Sequence, residues 1–203
     1  MTSGKMPSLS SVSSITTLFA GGGSISKSEL KAYYKFNETS GDIINQAESV
    51  GSSDSLGTSA DLQVTGATYN QSISPFNYSM SFDGTNDFCV AGTSTSQFNF
   101  LHNTSALFTI IVWVKIAGES DAILSTSGTL NTQVGLQYMN IASAKLRPRN
   151  SNTSGVVTQL TTASNFKPST TAMHMYALTY NQSLSDTNMS LSVDNGTPTT
   201  ANK

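Results

Sequence analysis

Phe108-Thr109-Ile110-Ile111-Val112-Trp113-Val114-Lys115-Ile116 decides the fold. β-Branched and aromatic side chains fill nearly every position and neither glycine nor proline interrupts them, which suits a pleated, covered surface and not a helix. The even positions, Phe108, Ile110, Val112, Val114 and Ile116, are uniformly apolar, so one face is read as core. Thr109, Ile111, Trp113 and Lys115 alternate to a face that is only partly dry, with Trp113 counted among the core residues. The expectation is a central strand to which the rest of the chain supplies partners.

Those partners are short. Downstream, Ala122–Leu124, Gln133–Tyr138, Lys145–Arg147, Val156–Leu160, Met173–Tyr180 and Met189–Val193 read as strands separated by Ser, Thr, Gly and Asn turns, with Tyr176 and Leu178 expected in the same core. Asp194-Asn195-Gly196 is a strong hairpin signal. Upstream, Leu30–Phe36 reads as a strand closed by Asn37–Gly41. Met80–Phe82 and Phe88–Val90 read as two strands joined by a turn at Asp83-Gly84. No amphipathic helix of useful length interrupts the series, so the fold class is all-β, an antiparallel two-sheet β-sandwich or jelly roll over residues 30–203. Residues 1–29 are small, polar and glycine-broken and are read as an extended, flexible arm that orders only against a partner.

At 203 residues the chain can bury an adequate core without staples. Charged residues make up 11% of it, well under the roughly 25% of an average soluble domain, so hydroxyls and amides carry its solubility. A net charge of −2 with no long basic run argues against nucleic acid as a partner, and no apolar run is long enough for a membrane-spanning helix. The single cysteine, Cys89, forms no intramolecular disulfide and reads as a small strand residue, since no cation beside it in sequence would activate the thiol. The run Ile15–Ala20 is too short and hydroxyl-interrupted for a secretion signal. Sequons such as those at Asn37, Asn103 and Asn188 are what so Asn-, Ser- and Thr-rich a chain makes by chance.

Five motifs taken in order, Leu30–Gly41, Met80–Phe88, Phe108–Lys115, Tyr176–Asn181 and Leu191–Gly196, resemble laminin-G-like domains of the concanavalin A-like lectin superfamily. The resemblance covers most of residues 30–196 and implies a curved two-sheet jelly roll of the kind found in non-catalytic binding modules on cell surfaces, secreted enzymes and phage virions. Met173 and Met175 stand where such domains carry an aromatic and a histidine, so His174 is not taken as equivalent. Such domains continue past this hairpin to a strand beside the first one. Two expectations follow: a sandwich lacking its last strands because the sequence is a fragment, or an edge beside Leu30–Phe36 covered by the arm or by another subunit.

Candidate chemistry is sparse. Hydrolysis of glycosides on such a sandwich needs paired carboxylates about 5 Å apart, and no strand carries them; Glu119 and Asp121 lie in a glycine-led loop. The chain is read as no enzyme. Asp83, Asn86 and Asp87 offer hard oxygens in one turn, a weak calcium candidate against the six to eight oxygens that ion takes; no other cofactor is expected. Lys145, Arg147 and Arg149 recur every second residue, one face of a strand, and suit sulfated or carboxylated glycans, although Pro148 suggests a basic edge or turn. Trp113, Tyr33, Tyr138 and Tyr180 are aromatic enough to stack on sugars but read better as sandwich core.

Two functions follow. The first is a surface structural and recognition protein of a virus particle, a phage capsid-decoration or fibre component, oligomeric through its arm or an open sheet edge and located on the virion surface. The second is a carbohydrate-binding module of a larger secreted or cell-surface protein.

Overall fold

Alternation along the sequence becomes ten strands among the described residues: β1 (Leu62–Thr65), β2 (Phe88–Ala91), β3 (Leu107–Val114), β4 (Ala122–Ser125), β5 (Gly135–Ile141), β6 (Lys145–Ser151), β7 (Val157–Gln159), β8 (His174–Asn181), β9 (Met189–Val193) and β10 (Thr199–Ala201). The computed structural model describes residues 27–69, 71–73, 76–92, 95–116, 122–126, 135–141, 145–163, 166, 172–194 and 196–202, the side chains of 95 and 139–141 excepted. The sequence divides the chain into an arm and one domain over 30–203; in the fold its contacts cluster in two units, Met1–Thr93 and Ser94–Lys203. Of the arm, 1–26 lie outside the described residues, and Lys27–Glu29 form a single 3-10 turn.

The second unit is an antiparallel β-sandwich. One sheet runs β10-β9-β8-β3 and the other β4-β5-β6-β7. Phe108, Tyr176, Leu178, Tyr180, Met189 and Leu191 from the first meet Leu136, Tyr138 and Leu146 from the second, and Leu160 just after β7, in one core, with Ile110, Val112 and Val114 packed against it. The all-β, antiparallel, two-sheet reading therefore describes this unit. Trp113, on the opposite face of β3, is half-buried and outside that core.

The centre of the first sheet is β8 and not β3. β8 pairs with β3 along its whole length, from Leu107 opposite Asn181 to Val114 opposite His174, and with β9 on its other side. Tyr176, Ala177, Leu178 and Tyr180 are consequently almost wholly buried, each large one contributing about 1.5–3 kcal/mol by burial. β3 ends the sheet among the described residues. The hairpin at Asp194 is present: Leu191 faces Thr199 across β9 and β10, and the Gly196 amide donates to the Val193 carbonyl at 2.7 Å. That register leaves more than a two-residue turn between the strands.

β6 is an inner strand of its sheet, although Pro148 suggests an edge. The Leu160 amide donates to the Pro148 carbonyl at 3.0 Å, so the proline nitrogen also faces the β7 side. There regular pairing ends at Gln159 and the chain goes on with single bonds, Thr162 amide to Leu146 carbonyl and Leu146 amide to Thr162 Oγ1. The ring is tolerated because it costs a bond only on the side where the ladder gives out.

In the first unit β1 and β2 pair antiparallel, Leu62 opposite Ala91 and Thr65 opposite Phe88. Leu30–Phe36 is not a strand. Its Tyr33 amide donates to Asn45 Oδ1 at 3.0 Å, while Asn45 Nδ2 donates to the Lys31 and Gly57 carbonyls. A buried carboxamide takes up the bonds a neighbouring strand would have made. Met80–Phe82 likewise joins, among the described residues, by a single bridge, Ser81 to Thr68.

Candidate functional site

The basic row on β6 has the face that the spacing predicts. Tyr138 of β5, a core residue, stands opposite Pro148, and Leu146 is core, so 146, 148 and 150 point inward and Lys145, Arg147, Arg149 and Ser151 point outward. On that outer face Arg149 lies between Gln137 of β5 and Gln159 of β7. Burial then divides the row. Lys145 and Arg147 are half-exposed, whereas Arg149 is only 6% exposed and belongs to the sheet's own structure. Neither Lys145 nor Arg147 has a carboxylate partner among the described residues. Lys145 and Arg147, about 7 Å apart along a strand, can meet a sulfate or carboxylate through charge.

The calcium candidate is a turn that uses its own oxygens. Asp83 Oδ1 accepts from the Thr85 amide at 2.8 Å and the Asn86 amide at 3.4 Å, and Asp87 Oδ2 accepts from the Asp83 amide at 2.9 Å. Asp87 Oδ1 lies against Gly66. These side chains hold the backbone between 83 and 87, the role Asp takes in turns; no cluster of three His, Cys, Asp or Glu side chains occurs among the described residues.

Two polar arrangements are invisible in the sequence. His174 Nδ1 meets Asp194 Oδ2 at 2.6 Å, and Asp194 Oδ1 accepts the Met175 amide at 2.9 Å. Asp194 has a positive φ of 48°, in the left-handed region Asp tolerates. Burial first, and Asp194 second, push the Tyr176 phenol up to about 12. His174 Nε2 is buried without a hydrogen-bond partner. An imidazole oriented by a carboxylate is two thirds of a nucleophile-activating triad, but no hydroxyl or thiol among the described residues bonds to it, and the pair ties the start of β8 to the turn after β9.

The other arrangement lies at the end of the sandwich where the Thr95–Leu101 3-10 segment meets β6. Asn150, fully buried, donates from Nδ2 to the Leu101 carbonyl at 3.0 Å, and the His102 carbonyl accepts the Thr153 amide at 3.2 Å. Burial holds the His102 imidazole below its ordinary pKa, outweighing its backbone hydrogen bond. Asn152 Oδ1 accepts the Ser154 and Val156 amides, and Tyr180 OH donates to Gln182 Oε1. This is a buried amide and hydroxyl network and not a cleft residue set.

Of the remaining candidates, Tyr138 and Tyr180 are buried, and Tyr33 is half-buried with Lys35 Nζ 5.9 Å from its ring. Burial raises the Cys89 thiol's pKa, which keeps it protonated, and its Sγ lies 3.9 Å from Met80 Sδ. Glu119 and Asp121 lie outside the described residues. No helix among the described residues is long and apolar enough to cross a membrane. Comparison with protein-family models, with curated proteins and with solved structures returns no match.

Proposed function

We propose that this chain is a non-catalytic structural and recognition protein of a virus particle, a capsid-decoration or fibre subunit on a laminin-G-like, concanavalin A-like jelly roll. It acts on the virion surface in contact with other protein subunits, without a cofactor; a calcium titration followed at Asp83, Asn86 and Asp87 would reverse that last clause by producing saturable shifts. One observation carries the reading: the uneven treatment of sheet edges. β10 and β7 have three residues each and β4 has four with an irregular register, whereas the edge strand β3 has eight, begins at a Leu107 that is 68% exposed, and is apolar. Short or bulged edges resist strand addition and long apolar ones invite it. The β3 edge, or the amino-terminal arm, is where a neighbouring subunit engages.

The test is sedimentation of the full chain over a range of concentrations, beside Ile111→Lys, which puts a charge on the half-buried outer face of β3. Association in the parent and a cooperatively melting monomer in the variant support the reading. A parent that stays monomeric at high concentration sinks it.

Lys145 and Arg147 favour a second reading, a carbohydrate-binding module of a larger secreted or cell-surface protein. Binding to sulfated or carboxylated oligosaccharides that weakens in Lys145→Gln/Arg147→Gln and with added salt would support it; equal binding to neutral sugars would count against that face.

A further inference from the structure

The β1–β2 sheet is inverted in size. Gln63 faces Val90 and Thr65 faces Phe88, so these four side chains share one face. All four are exposed, Phe88 at 50% and Val90 at 44%. The opposite face, Leu62, Val64, Cys89 and Ala91, is the half-buried one. The sheet thus turns its largest apolar side chain to solvent, and a two-stranded sheet is marginal until a third strand or a covering segment supports it. Among the described residues β1 gains only one further bridge, Leu62 to Ile43.

We propose that the face formed by Gln63, Thr65, Phe88 and Val90 is a docking surface for residues 8–20 of the same chain, which cover it in the free subunit and keep it from other molecules. The match is one of charge and composition. Neither the face nor Ser8–Ala20 holds a charged residue, and that segment brings Leu9, Val12, Ile15, Leu18 and Phe19 among hydroxyl side chains. Reach follows from where the segment joins the fold. Lys27 is the first described residue, and the adjacent Ser28 carbonyl is held by the Asp54 amide and Ser52 Oγ. Extended chain spans about 23 Å from Lys27 back to Ala20 and about 63 Å back to Ser8, enough to cross a unit of this size. A tether that short holds the segment near millimolar effective concentration, so the copy in cis outcompetes any other at ordinary protein concentrations. The proposal stands apart from the particle reading, since a module of any function would need this face covered.

Amide hydrogen exchange on the full chain tests it. Amides of residues 9–19 are expected to be protected at least tenfold over free-peptide rates, independently of protein concentration. Phe88→Ser/Val90→Ser and the milder Gln63→Lys, at an exposed position that needs no repacking, should each remove that protection while β8 amides keep theirs. Ile15→Asp/Leu18→Asp should raise binding of an apolar dye. Free-peptide exchange at 9–19 in the parent would overturn the proposal, as would protection that rises with protein concentration or survives the Gln63→Lys change.

Discussion

Replacing Gly66 by alanine strikes the first unit at two places at once. Gly66 follows β1 with φ +78°, and a Cβ built there would lie 2.0 Å from Asp87 Oδ1 and 3.4 Å from the Asp87 Cα. The left-handed backbone alone costs an L-residue about 1–2 kcal/mol. The clash adds more, because the Asp87 carboxylate must swing away and give up the Asp83 amide it accepts at 2.9 Å. A hydrogen bond to a charged group is worth about 1.5–3 kcal/mol when sheltered; at this exposed turn water replaces much of it, leaving about 1 kcal/mol. Gly66→Ala should therefore destabilise the unit by about 2–3 kcal/mol, and by only the backbone part, about 1–2 kcal/mol, once Asp87→Ala has removed the obstacle. Exchange of the β1 and β2 amides in denaturant, in the four proteins of the cycle, measures both quantities. Equal costs in the two backgrounds would refute the steric argument, and no cost in either would refute the geometry.

In the second unit, Leu178→Ala, fully buried at the centre of the core, should cost about 2–5 kcal/mol in chemical denaturation, clearly more than Trp113→Ala on the half-buried face of β3; the reverse order would mean that β3 is the central strand after all. Asp194→Val should lose the Met175 and His174 bonds and meet a left-handed φ, for about 2–3 kcal/mol, while Asp194→Asn, which keeps an acceptor and tolerates that φ, should lose less than half as much. His102 makes a pH prediction. Burial lowers its folded pKa, so the unfolded chain takes up the proton first. Its contribution is complete above an unfolded value of about 6.5 and is lost as pH falls below it toward the folded one. His102→Gln should flatten that part of the stability profile between neutral and mildly acid pH, and an unchanged slope would contradict it.

Much of the fold was legible because a period of two states which face a side chain takes. Phe108, Ile110, Val112 and Val114 do turn inward, and Lys145, Arg147 and Arg149 do share an outer face. Alternation is silent on neighbours and cover. Nothing within Phe108–Ile116 distinguishes an inner strand from an apolar edge, and nothing in the β6 row says that Arg149 is buried while Arg147 is not. Leu30–Phe36 has strand composition, yet the side chain of Asn45, twelve residues from Tyr33, takes its backbone bond. His174 and Asp194 are twenty residues apart and meet only through the β8–β9 register; the Asp-Asn-Gly signal showed a turn but not what its carboxylate would hold.

The interior of the sandwich has a bearing on its surroundings. Asn150, Asn152, Thr158, Asn188 and Gln182 are buried in this unit, and its buried acidic or basic side chains among the described residues are Arg149, on the outer face of β6, and His102. Ionic strength screens charges; it leaves bonds between amides, hydroxyls and backbone almost untouched. A lattice of such bonds keeps its strength from dilute buffer to brine, whereas the outward Lys145 and Arg147 on β6 and exposed charges such as Lys115 and Asp186 feel the change. The buried polar bonds of this unit are thus insulated from the salinity of whatever medium bathes it, while its surface charges are not.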